Sequence, residues 1–261
     1  MIRRWLLCLA AVAVLSAHGG SEGRDALPGI VGKDDRVVLD TAAWPWIAIG
    51  RINRAGGGFC TGSLVAADVV LTAAHCFYDT RSRRTIGAGE IHFVAGYRRG
   101  DYLAHAIARR IVTSPTLRFD PRGGIGEPSD DWALVVLDRP MAIRPIPVRR
   151  LRPTPHSEQD RAWPTVMVAG YSRDRPHLLS LHQECAIADR VSSDRIVIHS
   201  CDATHGTSGA PLLTGTAEEV FIVGVVTGVI RILGDQRGTA VDAGAFQDAV
   251  RRLRASAPSA D

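Results

Sequence analysis

Short apolar runs, each cut off by glycine, aspartate, asparagine or proline, recur along this 261-residue chain and leave little room for helices. One set comprises Trp46-Ile47-Ala48-Ile49, Gly62-Ser63-Leu64-Val65, Val69-Val70-Leu71, Ile91-His92-Phe93-Val94 and the stretches 107–112 and 133–137. Runs of this length bury their side chains by pairing with neighbours in a sheet, so their spacing predicts an all-β barrel or sandwich. From 139 to 164 the pattern stops, because Pro140, Pro145, Pro147, Pro153, Pro155 and Pro164 remove donors that a ladder needs. A second set follows at 165–169, 185–188, 195–199, Pro211-Leu212-Leu213 and 220–226. Apolar residues three and four apart over 245–253 then predict a short amphipathic helix. The expected organisation is a first β-unit over 41–140, a connection over 141–164, and a second β-unit with its terminal helix over 165–255.

The first residues read as an export signal. Met1-Ile2-Arg3-Arg4, an apolar stretch to Leu15 and small residues up to Gly20 supply the basic, hydrophobic and cleavage regions of a signal peptide over 1–20. Polar residues 21–40 are then expected to form a propeptide or an extended arm. No later stretch approaches the ~20 apolar residues of a membrane helix, so the mature chain is expected to be a secreted or periplasmic monomer without stable membrane association. Export implies an oxidising compartment, and once Cys8 leaves with the signal, Cys60, Cys76, Cys185 and Cys201 form an even set. Four cysteines allow three pairings, between which the sequence does not choose. The chain has no Cys-x-x-Cys pair and its histidines are scattered, so no metal site is expected. Its net charge of +4 comes almost wholly from arginine, Lys33 being the only lysine. Without a basic helix or interleaved aromatics this charge reads as solvated surface, and no nucleic-acid partner is expected.

Three motifs carry chemistry. His75 lies in Leu71-Thr72-Ala73-Ala74-His75-Cys76, Asp131 opens Asp131-Trp132-Ala133-Leu134-Val135 with Asp130 as the alternative carboxylate, and Ser208 sits in Gly206-Thr207-Ser208-Gly209-Ala210-Pro211. A seryl hydroxyl is a poor nucleophile until an imidazole takes its proton, and the imidazole needs a carboxylate to fix its tautomer. Gly206 has no Cβ, so the N–H groups of Gly206 and Ser208 can be aimed at one developing oxyanion. The candidate catalytic residues are therefore His75, Asp131 and Ser208, with an oxyanion hole from Gly206 and Ser208, and such chemistry needs no cofactor. An α/β-hydrolase is excluded, because its histidine follows the nucleophile and no histidine lies beyond Ser208. A subtilisin-like order would use Asp34, Asp35 or Asp40 before His75, but there the serine opens a helix. Here Pro211-Leu212-Leu213-Thr214-Gly215 and 220–226 read as strand, turn and strand.

At these motifs, together with Phe59-Cys60-Thr61-Gly62-Ser63-Leu64-Val65 and residues 201–211, the chain resembles the chymotrypsin-fold, trypsin-like serine proteases, and within them the bacterial glutamyl-endopeptidase-like branch. The resemblance runs over about 34–253. It implies two six-stranded antiparallel β-barrels with a short C-terminal helix, the triad in the cleft between them, local disulfides joining Cys60 to Cys76 and Cys185 to Cys201, and a protein or peptide substrate. The activity it implies is endopeptidase hydrolysis. A catalytically silent binding protein and an esterase on the same scaffold are the alternatives.

The departures from that family pattern are specific. Trypsin-like zymogens place an aspartate immediately before the nucleophile to pair with a freed N-terminal amine. This chain has Thr207 there, although Ile30-Val31-Gly32 resembles an activation site, so the oxyanion hole is expected to form without that switch. Where glutamyl endopeptidases carry a pocket histidine, this chain has Val226, which argues against acidic preference. Asp202 matches the carboxylate at the base of a trypsin specificity pocket, His205 is expected at the pocket rim, and Thr227 is expected to hydrogen-bond Asp131 or to fill a strand position.

Overall fold

The computed structural model describes residues 27–153, 162–193, 195–216 and 218–255; the expected signal peptide lies outside them. The first half carries β1 (Val37–Val38), β2 (Ile49–Arg54), β3 (Phe59–Ala66), β4 (Val69–Thr72), a small hairpin of β5 (Tyr78–Asp79) and β6 (Arg84–Thr85), then β7 (Ile91–Ala95), β8 (Ala104–Thr113) and β9 (Ala133–Leu137). Six of these close an antiparallel barrel in the order β2-β3-β4-β9-β8-β7. Ile52, Leu64, Phe93 and Leu134 are fully buried in it.

The second half carries β10 (Val166–Ser172), β11 (Arg175–Cys185), β12 (Ile187–Val191), β13 (Ile196–His199), β14 (Pro211–Gly215), β15 (Val220–Ile232), β16 (Asp235–Asp242) and the helix α1 (Gln247–Ala255). Their sheet has the order β1-β11-β10-β14-β15-β16-β13-β12. Only Ala186 separates β11 from β12. One chain run therefore pairs with β10 through its first part and with β13 through its second, which joins the two ends of the sheet into a ring. Ser200 N donates to Ala186 O at 3.0 Å across the break, and a disulfide links Cys185 to Cys201 beside it. With β11 and β12 counted as one run, six strands come from the second half, and β1 is added along β11. Among the described residues no helix is long and apolar enough to cross a membrane.

Several elements differ from the sequence expectation. Trp46–Ala48 is a 3-10 turn, because Ile47 N and Ala48 N bond locally to Ala43 O and Pro45 O, and pairing begins only at Ile49. The run 185–188 is broken at Ala186. Strands β11 and β16 were not foreshadowed by apolar runs: Arg-Pro-His-Leu-Leu-Ser-Leu-His-Gln-Glu-Cys and Asp-Gln-Arg-Gly-Thr-Ala-Val-Asp are held by ladders to apolar neighbours.

The two halves meet at Thr61. Its side chain is fully buried, and its Oγ1 accepts from Tyr171 N at 2.9 Å, with the carbonyls of Gly206 at 3.1 Å and Tyr171 at 3.3 Å as acceptors for its own proton. Thr61 N donates to Ser208 O at 2.9 Å, and Thr72 Oγ1 donates to Thr61 O at 2.7 Å. A Cβ on Gly209 (φ +82°) would lie 2.1 Å from Thr72 Oγ1 and 2.2 Å from Thr61 O, so only glycine allows this approach. The C-terminal helix adds a second tie, Arg254 Nε donating to Val65 O at 2.7 Å. Thr61→Val keeps the shape of the side chain but strands the buried Tyr171 N–H. Equilibrium denaturation of this variant is expected to show a loss of about 1–3 kcal/mol; an unchanged midpoint would contradict the role assigned to the hydroxyl.

Candidate active site

Strand pairing brings the first two motif residues together. β4 and β9 run antiparallel with Thr72 opposite Ala133, so the chain leaving β4 meets the chain entering β9. His75 sits on the 3-10 turn Ala74–Phe77 after β4, and the Cys60–Cys76 disulfide anchors that turn to β3. Asp131 lies just before β9. It accepts from His75 twice, from the backbone N–H at 2.9 Å through Oδ1 and from Nδ1 at 2.8 Å through Oδ2. The second bond fixes the tautomer and leaves Nε2 to act as a base. Asp130 is turned away, accepting from Ser114 Oγ at 2.5 Å. Burial pushes the His75 pKa down, but the charge and hydrogen bond of Asp131 outweigh it, and the net shift is upward from the ordinary 6.5.

In the turn that carries Ser208, three of five backbone N–H groups are already committed: Thr207 to Thr204 O at 3.0 Å, Gly209 to Val226 O at 2.7 Å and Ala210 to Thr207 O at 2.8 Å. Those of Gly206 and Ser208 have no acceptor among the described residues. The peptide before Gly206 has a fixed sense. His205 O accepts from Arg173 N at 2.7 Å, and in a trans peptide the Gly206 N–H then points the opposite way. Gly206 adopts φ +98°, and a Cβ there would meet the Phe59 ring at 2.8 Å. No carboxylate takes part, since residue 207 is a buried threonine.

A cleft of about 380 Å³ is lined by Pro28, His75, Ala203, Thr204, His205, Thr207, Ser208 and the run Val226-Thr227-Gly228-Val229. The structure thus brings His75, Ser208, His205, Val226 and Thr227 to one cavity, with His205 exposed at its mouth and Val226 buried. Of the remaining sequence expectations, Thr227 takes the second of its two alternatives, a strand position in β15, and Asp202 needs correction. Thr227 does not reach Asp131; its hydroxyl lies 3.3 Å from Thr239 Oγ1 and 3.5 Å from Thr239 O, because strand β15 turns it toward β16. Asp202 does not line the cleft. Its carboxylate is wholly buried and accepts from the N–H of Val31 at 2.7 Å and of Asp35 at 3.1 Å, with His182 Nδ1 3.1 Å away. The Asp202 hydrogen bond, the largest influence, raises the His182 pKa.

Asp202 therefore ties down the N-terminal strap that contains Ile30-Val31-Gly32. Ala203 N donates to Gly29 O at 2.8 Å, and Gly29 N donates to Gln236 Oε1 at 2.7 Å, which lays Pro28 against the cleft. Farther along, Arg36 is buried between Asp34 and Asp174, 2.9 and 2.7 Å away. Sequence reasoning allowed an extended arm over 21–40 but missed its tie to Asp202, as it missed the roles of Thr61 and His182, since each acts through tertiary contacts. Among the described residues, the one grouping with metal-ligand geometry is Cys60, His75 and Cys76, and its two sulfurs are bonded to each other.

Known proteins resemble this chain in sequence and in fold. A human serine protease, serine protease 56, is 33% identical over 133 residues, which is 49% of this chain and 17% of the relative. Glutamyl endopeptidase of Bacillus licheniformis is 37% identical over 67 residues, 25% of this chain and 21% of the relative. This chain thus spans well under a third of the length of each of these two. A solved structure of a Glu endopeptidase in complex with MPD superposes with TM-score 0.70 at 20% identity, covering 87% of this chain and all of the other, so the fold is shared. The Trypsin family model matches residues 36–249, and the chain belongs to the trypsin family.

Proposed function

We propose that the chain is an exported serine endopeptidase that cleaves peptide bonds through an acyl-enzyme. The observation that carries the reading is the pair of uncommitted N–H groups, Gly206 and Ser208, in a turn whose other amides are all bonded internally. Such donors, preorganised toward one point, stabilise an oxyanion. In this reading Ser208 Oγ attacks the substrate carbonyl carbon while His75 Nε2 takes the hydroxyl proton and Asp131 steadies the imidazolium. The carbonyl oxygen becomes the oxyanion held by the two N–H groups. The C–N bond then breaks as His75 returns the proton to the leaving amine, and water, deprotonated by the same base, releases the acyl group. No hydrogen bond joins Ser208 Oγ to His75 among the described residues; contacts of this kind tighten when substrate closes the site.

The relatives' names include a glutamyl endopeptidase, but the cleft lining supports a different preference. It contains no arginine, lysine, aspartate or glutamate, and its titratable members are His75 and His205. An uncharged side chain on the acyl side fits such a surface, since an ion there would lose hydration without gaining a partner.

Four outcomes are expected. A fluorophosphonate probe labels the wild type but not Ser208→Ala, whose peptide turnover falls by about 10⁴-fold or more; an unlabelled wild type would favour a silent binding protein. Because His75 must be neutral to act and its pKa is raised, the acid limb of kcat/KM is expected to have its midpoint above 6.5. In Asp131→Asn both raising influences go and burial remains, so the limb is expected to move below 6.5, with activity reduced about 10⁴-fold; a limb that stays put would refute the pairing. Asp202→Asn, finally, is expected to cost about 1–3 kcal/mol of stability by weakening the strap, while a random peptide library returns the same residue preference. Cleavage after Arg or Lys that vanishes in this variant would return Asp202 to the pocket.

A further inference from the structure

A second cavity, of about 400 Å³, shares no lining residue with the cleft. Its walls are the turn between β2 and β3, the β5–β6 hairpin, and Arg173 from the β10–β11 turn, so both halves of the molecule contribute. Its place relative to the reactive turn follows from Gly206, where a Cβ would stand 2.8 Å from the Phe59 ring and 3.2 Å from Arg173 N. The Arg54 charge is also felt at His75, where it opposes protonation.

The charge in this cavity is unbalanced. Arg54, Arg81, Arg84 and Arg173 line it against Asp79 and Glu90. Glu90 is spent on Arg84, with bonds of 2.9 and 2.8 Å, while Asp79 accepts from Ser82 Oγ at 2.5 Å and Arg81 N at 3.0 Å. Arg54, Arg81 and Arg173 consequently have no ion-pair partner among the described residues. Arg54 is the most exacting of them. Its Nε is cut off from solvent without a hydrogen-bond partner, and burial, with repulsion from Arg173 and Arg81, pushes its pKa down against the attraction of Asp79. The guanidinium is seated on Gly58 (φ +80°), where a Cβ would stand 2.3 Å from Nη2. An unpaired, partly desolvated guanidinium is relieved by an anion, and its planar fork matches a carboxylate.

The acyl-side cleft lies between 203–208 and 226–229; on the endopeptidase reading the leaving half of a substrate held at Ser208 runs away from that cleft, and Phe59 and Arg173 beside Gly206, with Arg54 within electrostatic reach of His75, stand outside it. We propose that this cavity is an anion subsite for the leaving half of the substrate, taking an aspartate or glutamate side chain at the first two positions after the scissile bond. The inference rests on the endopeptidase reading and deepens it: the acyl side selects against charge, and the leaving side selects for negative charge.

Paired quenched-fluorescence peptides test this. They share an acyl half chosen from the library, end in an amide so that the side chains are the sole carboxylates after the cut, and carry either Glu-Glu or Gln-Gln at the two positions. The wild type is expected to favour Glu-Glu in kcat/KM by about tenfold, the size of one charge-assisted hydrogen bond. The ratio should shrink in about 0.5 M salt. In Arg54→Gln it should fall toward one, and in Arg173→Gln, a change on an exposed turn, it should fall part of the way, with fluorophosphonate labelling of Ser208 reporting that each variant is folded. Equal cleavage of both peptides by the wild type, or a ratio unmoved in both variants, overturns the inference alone. A wild type that cleaves neither peptide and takes no fluorophosphonate overturns the endopeptidase reading and this inference with it.

Discussion

The site depends on one buried dipeptide, Cys60-Thr61, near the start of β3. Cys60 is joined covalently to Cys76, the neighbour of His75, and Thr61 is hydrogen-bonded to the carbonyls on either side of Thr207. The imidazole and the hydroxyl, which come from different barrels, are thus each referred to the same two residues. Residues that must agree in position to within about half an ångström need such a shared support. Thr72 and Gly209 complete it: the threonine hydroxyl holds the Thr61 carbonyl, and the missing Cβ lets the turn settle against both.

The same neutral contacts explain how the donors of the turn are oriented without an ion pair at residue 207. The Gly206 carbonyl is held by Thr61 and the His205 carbonyl by Arg173 N, so both peptides flanking Gly206 are fixed by hydrogen bonds, one across the barrel interface and one within the second half. The charged work is done elsewhere. Asp202 receives two strap amides and donates its own N–H to His182 Nδ1 at 2.9 Å, and Arg36 closes the far end of the strap between Asp34 and Asp174. A carboxylate this deeply buried is tolerable because donors meet both of its oxygens. The strap is therefore part of the wall behind the cleft rather than a switch acting on the turn.

Much of this was legible in the sequence, for reasons that differ by residue. His75, Asp131 and Ser208 stand in motifs whose apolar neighbours become buried strands, so local pattern and position coincide. The broad strand pattern of both halves could be read from apolar runs for the same reason. Strands β11 and β16 could not, because their residues are polar and their ladders are supplied by β10 and β15. Trp46–Ala48 misled in the opposite direction, an apolar run whose amides bond within a turn. Asp202 and Thr227 were read by their distance from Ser208 and from strand position, which does not reveal which way a side chain faces once the strap or β16 competes for it. Thr61 carried no chemical signature at all, since its role exists only where two barrels touch.

The electrostatic setting of His75 connects the two sides of the cleft. Asp131 pulls the imidazole toward protonation, while burial and Arg54 push against it, so its basicity is a balance between a partner fixed in the first barrel and a guanidinium facing the leaving side. An anion seated on Arg54 would remove one of the opposing influences. The imidazole would then become a stronger base in the complex than in the free protein, and proton transfer from Ser208 would gain driving force as the leaving half of the substrate docks. The cost is a narrower pH range, because a more basic imidazole is protonated at higher pH. If the proposed subsite holds an anion, substrate charge on the leaving side would act on the reacting proton as well as on binding, through one half-buried arginine at the glycine turn between β2 and β3.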